Sequence, residues 1–473
     1  MSSFAGLNTA ITGLHAHKRT TEVIGHNVTN ANTEGFSRRQ VVLEPSVGLR
    51  AGSRHDTRFS WSNLGVNIAT INRVRDSFAD SKARSASASA QEAARAHEVL
   101  ATVETVFPEP SDTALNAQLS NFWNAFSEAA NQPASNPQRT AVLSQAETLT
   151  STIRQSASTL QTAHDNYSYE LTAVIAEVNS LAEQIAALNG QIRQSAISGM
   201  NSADMADQRD LLIDRLSGLC GATARPGQYD QVDVVLGGST LVSGALYETL
   251  NVVSGGPLDP PLDTLDVRRQ EVRWSRDGYP ASAISGQAGG LMQGLNDIVP
   301  RYMKDLDDMT GALMTTVNAV HMAGEDQTGT TGLSFFGLAG TGTASKNIAV
   351  HADVAGRPER IALAAVGAGA LDGSNGYALA AVASSATGIN PKYQSMLGRL
   401  GVESQAAANR SETQDRFATE TEAQRSSIIG VNIDEEITNL MISQRAYEAS
   451  ARLLTAVDEM LDVLINRTGL VGR

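Results

Sequence analysis

The sequence predicts a mainly α protein with smaller β modules, elongated and divided into several domains. In this reading the terminal helices pair as a coiled coil, a helical bundle forms the middle, and a β-rich part lies outside. Three observations carry it. Apolar residues at both ends fall at helical spacing, and near the carboxy terminus they repeat every seven residues. The stretch between Gln138 and Gly190 contains neither Pro nor Gly. After Gln231 the apolar period shortens to two, as in strands. Composition agrees, since aromatics make up only 5% of the chain and hydrophobics 41%. Such a balance favours long Ala/Leu helices with thin cores.

At the amino terminus Phe4, Leu7, Ile11 and Leu14 form an amphipathic stripe, which Ile24 and Val28 resume after the polar segment Lys18–Thr21. A helix of this extent is roughly 40 Å long at about 1.5 Å per residue. "NVTNANTEG" ends it, because Asn and Thr side chains compete for backbone hydrogen bonds and Gly35 tolerates positive φ. "RRQVVLEP" and "NLGVNIATINRV" then alternate as short strands. A helix follows from Asp76 to Val106, stopped by Pro108 and Pro110. Ser111 and Asp112 are expected to cap the next helix, and Pro133 and Pro137 to end it. The long periodic segment from Gln138 reads as a coiled coil or elongated bundle, followed by a short helix in "DMADQRDLLIDRLSGL". "VDVVLGGSTLV" is a hairpin turning at Gly237-Gly238, and the β-rich stretch runs to about Ser285. Helix returns from Leu291 to Gly324, short strands such as "NIAV" lie in a Gly/Thr-rich segment, and Pro391–Ile429 is helical.

The last helix is the most regular. Ile433, Leu440, Tyr447, Leu454 and Leu461 recur every seven residues. Ile437, Ala451 and Ile465 take the d-like positions, with Gln444 and Asp458 as polar exceptions. Asn432 is the expected cap, Glu435 its capping-box partner, and Gly469 the stop. The simplest partner for this stripe is the amino-terminal one. A second stripe, Met441, Val457, Met460 and Leu464, leaves more apolar surface than one amino-terminal helix covers. The surplus is expected to seek another molecule.

No catalytic constellation emerges. The formal charge is −14 and no basic cluster exceeds Arg38-Arg39, which argues against nucleic acid and anionic membranes as partners. No apolar run approaches the roughly 20 residues needed to cross a bilayer. The opening residues lack the pattern of a secretion signal. Cys220 is the only cysteine and reads as a buried small hydrophobe. His15 and His17 are two apart and cannot share a metal from one helix face, and "GTGTAS" lacks the endings of nucleotide-binding loops. Glu435-Glu436 reads as an acidic pair favoured by the helix dipole, and Phe122, Trp123 and Phe126 as core. Neither a cofactor nor a metal is expected.

"HNVTNANTEGFSRRQV" resembles the amino-terminal signature of bacterial flagellar axial proteins, through Asn27, Asn30, Asn32, Thr33, Gly35, Phe36, Ser37 and Arg38. Within that group, Gly25-His26-Asn27 and Ser37-Arg38 are similar to the hook-associated protein 1 family. Glu34 and an extra Arg39 are small departures in the loop. "GVNIDEEITNLMISQRAYEASARLLTAVDEMLDVLINR" resembles that family's closing helix, and "FWNAFSEAANQP", "DQRDLLIDRLS" and "GGSTLVSG" resemble its helical domain.

The resemblance implies a non-catalytic subunit at the hook–filament junction, exported through the flagellar type III apparatus and found outside the cell. Implied partners are copies of itself in a ring, the hook subunit, the second hook–filament junction protein, and an export chaperone on the carboxy-terminal helix. The assembly interface is expected on Leu7, Ile11, Leu14, Ile24 and Val28, and on Ile433, Ile437, Leu440, Tyr447, Leu454, Leu461 and Ile465. The expected domains are residues 1–32 with 430–473 (terminal pair), 33–80 (β-containing linker), and 81–220 with 286–325 and 391–429 (long helices). Residues 221–285 form a β-rich module and 326–390 a small variable one. The rival readings are another axial protein (second junction protein or hook subunit), a filament-associated enzyme, or a cytoplasmic coiled-coil scaffold.

Overall fold

A computed structural model describes residues 3–47, 63–259, 262–385 and 388–463 of the chain. The expected stop at Gly469, and Leu464 and Ile465 with it, lie outside the described residues. Helix α1 (Ser3–Thr29) leads into the hairpin of β1 (Arg39–Val47) and β2 (Asn63–Arg73). The strands pair antiparallel, with Arg39 opposite Arg73. The hairpin lies along α1, where the Thr12 hydroxyl accepts from the Val66 N–H at 3.3 Å.

Helix α2 (Ser77–Val106) starts where the Asp76 carboxylate accepts from the Phe78 and Ala79 N–H groups. Helix α3 (Leu115–Asn131) begins later than Ser111 and Asp112 suggest. The Ser111 hydroxyl is used inside its own turn, on Thr113, and the Glu109 carboxylate accepts from the Asn116 N–H instead, at 3.0 Å. Pro137 does not end α3. It sits in the first turn of α4 (Asn136–Ile197), where its missing N–H costs nothing. Helix α4 passes through Gly190 unbroken, close against Ala245. Helix α5 (Ala203–Cys220) stops at Gly221, whose φ of +74° forms a left-handed cap.

Strands β3 (Thr223–Pro226), β4 (Val232–Leu236), β5 (Ser239–Ser243) and β6 (Leu246–Tyr247) form one antiparallel sheet in chain order. Gly237 and Gly238, at φ +55° and +88°, supply the positive angles that a two-residue hairpin requires. Strand β7 (Leu250–Ser254) pairs with β8 (Gln270–Trp274). The helix expected around Pro300 is α6 (Gly286–Gln293) and α7 (Val299–Met322), joined by a π-helical turn at Gly294–Ile298. That turn accommodates the proline within an otherwise continuous helix. The Gly-rich segment holds β9 (Gly324–Glu325), β10 (Phe336–Leu338), α8 (Ala344–Asn347), β11 (Ile348–Val350), β12 (Ala364–Ala365) and α9 (Ser374–Ala381). Two long helices close the chain, α10 (Ile389–Ile429) and α11 (Ile433–Asp462).

One apolar core extends from Val99 on α2 to Leu400 on α10, taking in α3–α7, strands β3–β5, β7 and β8, and the Gly-rich segment. At its centre Phe122 meets Phe126 at 5.0 Å and Phe336 at 5.6 Å between ring centroids. Buried Arg139 fastens the Gly-rich segment to α4 by donating to the carbonyls of Pro133 (2.7 Å) and Ile361 (2.6 Å). Cys220 lies in this core, and burial pushes its thiol up to about 12, so it is protonated at neutral pH. One window of α4 reaches a mean hydropathy of 1.2, contrary to the reading that no segment approaches a membrane span. Its apolar residues, such as Leu149, Ile153 and Leu171, are buried in the bundle.

Among the described residues, none from α1, β1, β2 or α11 belongs to this core. The terminal part is joined to the body by other means.

Candidate assembly interface

Helices α1 and α11 run antiparallel, and α11 meets α1 every seven positions, at Glu436, Ser443, Ser450 and Val457. Gly6 faces Val457, and a Cβ at Gly6 would stand 3.6 Å from its methyl. Gly13 faces Ser450, with only 3.1 Å to the hydroxyl. Ser443 donates to the His17 carbonyl at 3.0 Å and meets the Thr21 hydroxyl at 3.1 Å. Asn27 donates to Glu436 at 3.0 Å. Ala10, Ala16, Val23 and Ile24 are buried along the same seam. Small residues let two helix backbones approach closely, so packing follows the gaps between large side chains.

This shifts the expected seam. Leu440, Leu454 and Leu461 are half-buried at their a-like positions, whereas Ile433 and Tyr447 are exposed. The d-like partners are not Ile437, Gln444, Ala451 and Asp458. They are the buried Glu436, Ser443 and Val457 and the half-buried Ser450, one residue earlier in each repeat. Ile437 is 45% exposed, and Met441 and Met460 also face outward. On α1, Ile24 is buried and Leu7 and Leu14 half-buried, while Ile11 and Val28 are exposed. Within one chain the pair therefore meets largely through small and polar residues and leaves Ile11, Val28, Ile433, Ile437, Met441, Tyr447 and Met460 exposed.

The signature residues build the joint between this pair and the body. Asn27, 1% exposed, donates to the Arg39 carbonyl at 2.9 Å and accepts the Arg39 N–H at 3.0 Å. It thereby ties α1 to β1 and, through Glu436, to α11. The Asn30 amide caps the His26 carbonyl at 3.0 Å, and its oxygen takes the Thr33 hydroxyl. Asn32 and Thr33 are exposed. Gly35, at φ +78°, lies against Leu211, and Phe36 stacks near His26 at 5.5 Å. Ser37 is buried and accepts from Arg75 at 3.1 Å. Arg38 donates to Glu436 at 2.9 Å and to Glu435 at 3.1 Å. Asn432 caps α11 as expected, but Glu435 turns to Arg38 rather than completing a capping box. Glu436 is likewise a buried ion-pair partner, more than a dipole-favoured surface acid.

Sequence reasoning missed the network beneath. Arg39 is not a loop departure: it is buried at the start of β1 and ion-paired with Asp204 and Asp207 of α5. Arg73 of β2 pairs with Asp207 at 2.8 Å and with Asp210. Arg84 of α2 and Arg425 of α10 share Asp214, at 2.5 and 2.7 Å. Burial would raise the Asp210 pKa, but Arg73, Arg75 and Arg209 outweigh it and hold the carboxyl below its ordinary value. The only signal in the sequence was the spacing of Asp204, Asp207, Asp210 and Asp214, which lines one face of a helix.

Comparison with known proteins decides the family. The description "Flagellar hook-associated protein FlgK helical domain" matches residues 100–336, half of the chain. The chain belongs to the FlgK family. Two further descriptions match this FlgK-family chain at its ends: "Flagella basal body rod protein" over residues 7–36 and "Flagellar basal body rod FlgEFG protein C-terminal" over 423–467. Flagellar hook-associated protein 1 of Bacillus subtilis is 29% identical, covering 100% of both chains. Its namesake in Escherichia coli is 22% identical over 97% of this chain and 99% of its own. A solved structure, the flagellar hook junction protein FlgK from Burkholderia pseudomallei, aligns with a TM-score of 0.48 at 23% identity, covering 55% of this chain and 46% of that one. FlgK membership makes this chain a structural protein of the flagellar hook–filament junction.

Proposed function

We propose that this subunit joins hook to filament by assembling through the outer face of its α1·α11 pair. One observation carries the reading: the pair spends small residues on itself and keeps Ile437, Met441 and Met460 exposed. Burying one such side chain against a neighbour contributes about 1.5–3 kcal/mol, so a few per subunit, repeated around a ring, make a stable tube. The neighbours are copies of itself, the hook subunit and the second junction protein. The same stripe, exposed before assembly, is the surface an export chaperone would cover during passage through the flagellar type III apparatus. The role is non-catalytic, in keeping with structural relatives.

The test is complementation of a strain lacking the chain with a version missing residues 433–473. Electron microscopy is expected to show hooks without filaments, while circular dichroism of the purified truncation shows a folded body. Filaments attached at normal frequency would refute the proposal. A casein or gelatin assay of purified protein addresses the enzymatic rival: turnover above a buffer control would overturn the non-catalytic reading.

A further inference from the structure

A cleft of about 500 Å³ opens beside the joint, between the first turns of α2, the end of β2, α5 and β3. Its walls carry five guanidinium groups, from Arg73, Arg75, Arg84, Arg209 and Arg225, against two carboxylates, Asp80 and Asp210. Helix α2 adds a hydroxyl at each turn, from Ser77 through Ser81 and Ser85 to Ser89. Most of this charge is already committed. Arg73, Arg75 and Arg84 are ion-paired with aspartates of α2 and α5. Two arginines are not fully used. Arg225 on β3 is exposed and makes no ion pair among the described residues. Arg209 is 4% exposed. Its Nη1 donates to the Asp230 carbonyl at 2.6 Å and to the Asn189 amide oxygen at 3.3 Å, its Nη2 donates to Asp210 at 3.4 Å, and its buried Nε has no partner. Burial, with Arg73 and Arg84 nearby, holds the Arg209 pKa below its ordinary value despite Asp210. Its one carboxylate partner, Asp210, is shared with Arg73 and Arg75. An unpaired buried donor is costly, and a guanidinium is shaped to hold an oxyanion.

We propose that this cleft binds a small multivalent oxyanion, a polyphosphate or a polycarboxylate, bridging Arg225 of β3 to Arg209 of α5 and the serine ladder of α2. The volume lies within the range of small-molecule sites and exceeds what a single inorganic ion fills. Such a ligand would fasten β3 to the base of the joint and stabilise the folded chain by mass action.

Thermal unfolding of the full chain with pyrophosphate, citrate or sulfate, at ionic strength fixed with sodium chloride, tests this. Pyrophosphate or citrate is expected to raise Tm saturably, and the stronger of the two identifies the phosphate or carboxylate source. Arg225→Gln removes one charge-assisted contact and is expected to weaken binding about 10-fold. Because Arg225 is exposed and unpaired, that variant folds normally; Arg276→Gln, on the far β7–β8 hairpin, is the control and binds as the parent does. No saturable rise, a rise matched by chloride, or equal affinity in Arg225→Gln overturns the proposal.

Discussion

Asn27 concentrates at one residue what the terminal signature does. Its amide serves Arg39 twice and Glu436 once, all in a buried setting. Asn27→Ala strands the Arg39 N–H and half of the Glu436 carboxylate, at about 1–3 kcal/mol for each buried group. Amide hydrogen exchange is expected to accelerate in the second half of α1 and the start of α11 while α4 is unaffected; uniform acceleration across α4 would contradict a local role. Gly13 makes the complementary point, because a Cβ there would stand 3.1 Å from the Ser450 hydroxyl, closer than ordinary contact, and a branched side chain reaches further. Gly13→Leu should separate α1 from α11, read as protease cleavage within the first thirty residues. Near the end of α7, neutral His321 donates from Nδ1 to the Leu333 carbonyl and accepts the Ala362 N–H on Nε2 at 2.9 Å. Burial lowers its pKa from 6.5 to about 4. The folded state therefore binds fewer protons than the unfolded one between those values. Its stabilisation is present above pH 6.5 and lost as pH falls through about 4, on the order of 3 kcal/mol. An NMR titration should place the His321 midpoint near 4; a midpoint near 6.5 would contradict the assignment.

Among the elements, the terminal pair and hairpin are attached to the body by ions rather than by core. Asp207 stands between Arg39 and Arg73, and removing it leaves Arg39 with Asp204 and Arg73 with Asp210 as their remaining counter-ions. Asp207→Ala is expected to lower the stability of the joint by about 1–3 kcal/mol, seen as early release of β1–β2 in pulse proteolysis with urea. A single unchanged transition would show that the joint does not depend on these pairs. This scale also shows what the sequence could and could not convey. Helices, strands and the Gly237-Gly238 turn were legible, because each is written in local periodicity or one backbone preference. The a-like leucines of α11 were legible for the same reason. The d-like positions were not, since Ser443 and Ser450 give no hydrophobic signal, and close backbone approach selects them. The joint was hidden because its partners lie far apart in the chain. Arg39 and Asp207 become meaningful only once β1 and α5 are side by side. Pro137 misled because its meaning depends on which side of it the helix lies.

Across the whole molecule, a single apolar core ties the helical body to both of its β-containing modules, and a polar joint carries a pair of helices with a stripe of large apolar side chains outward. Such a division suits a subunit whose body folds by itself and whose ends are completed by neighbours. The most direct measurement introduces charge on the outward stripe alone, as Ile437→Glu with Met441→Glu. Neither side chain supports the intrachain seam, so the purified variant should keep the circular dichroism spectrum and Tm of the parent. In a strain depending on it, electron microscopy should show hooks that carry no filament. Normal filaments on normal hooks would show that the stripe is not an assembly surface, and the account built on it would fail.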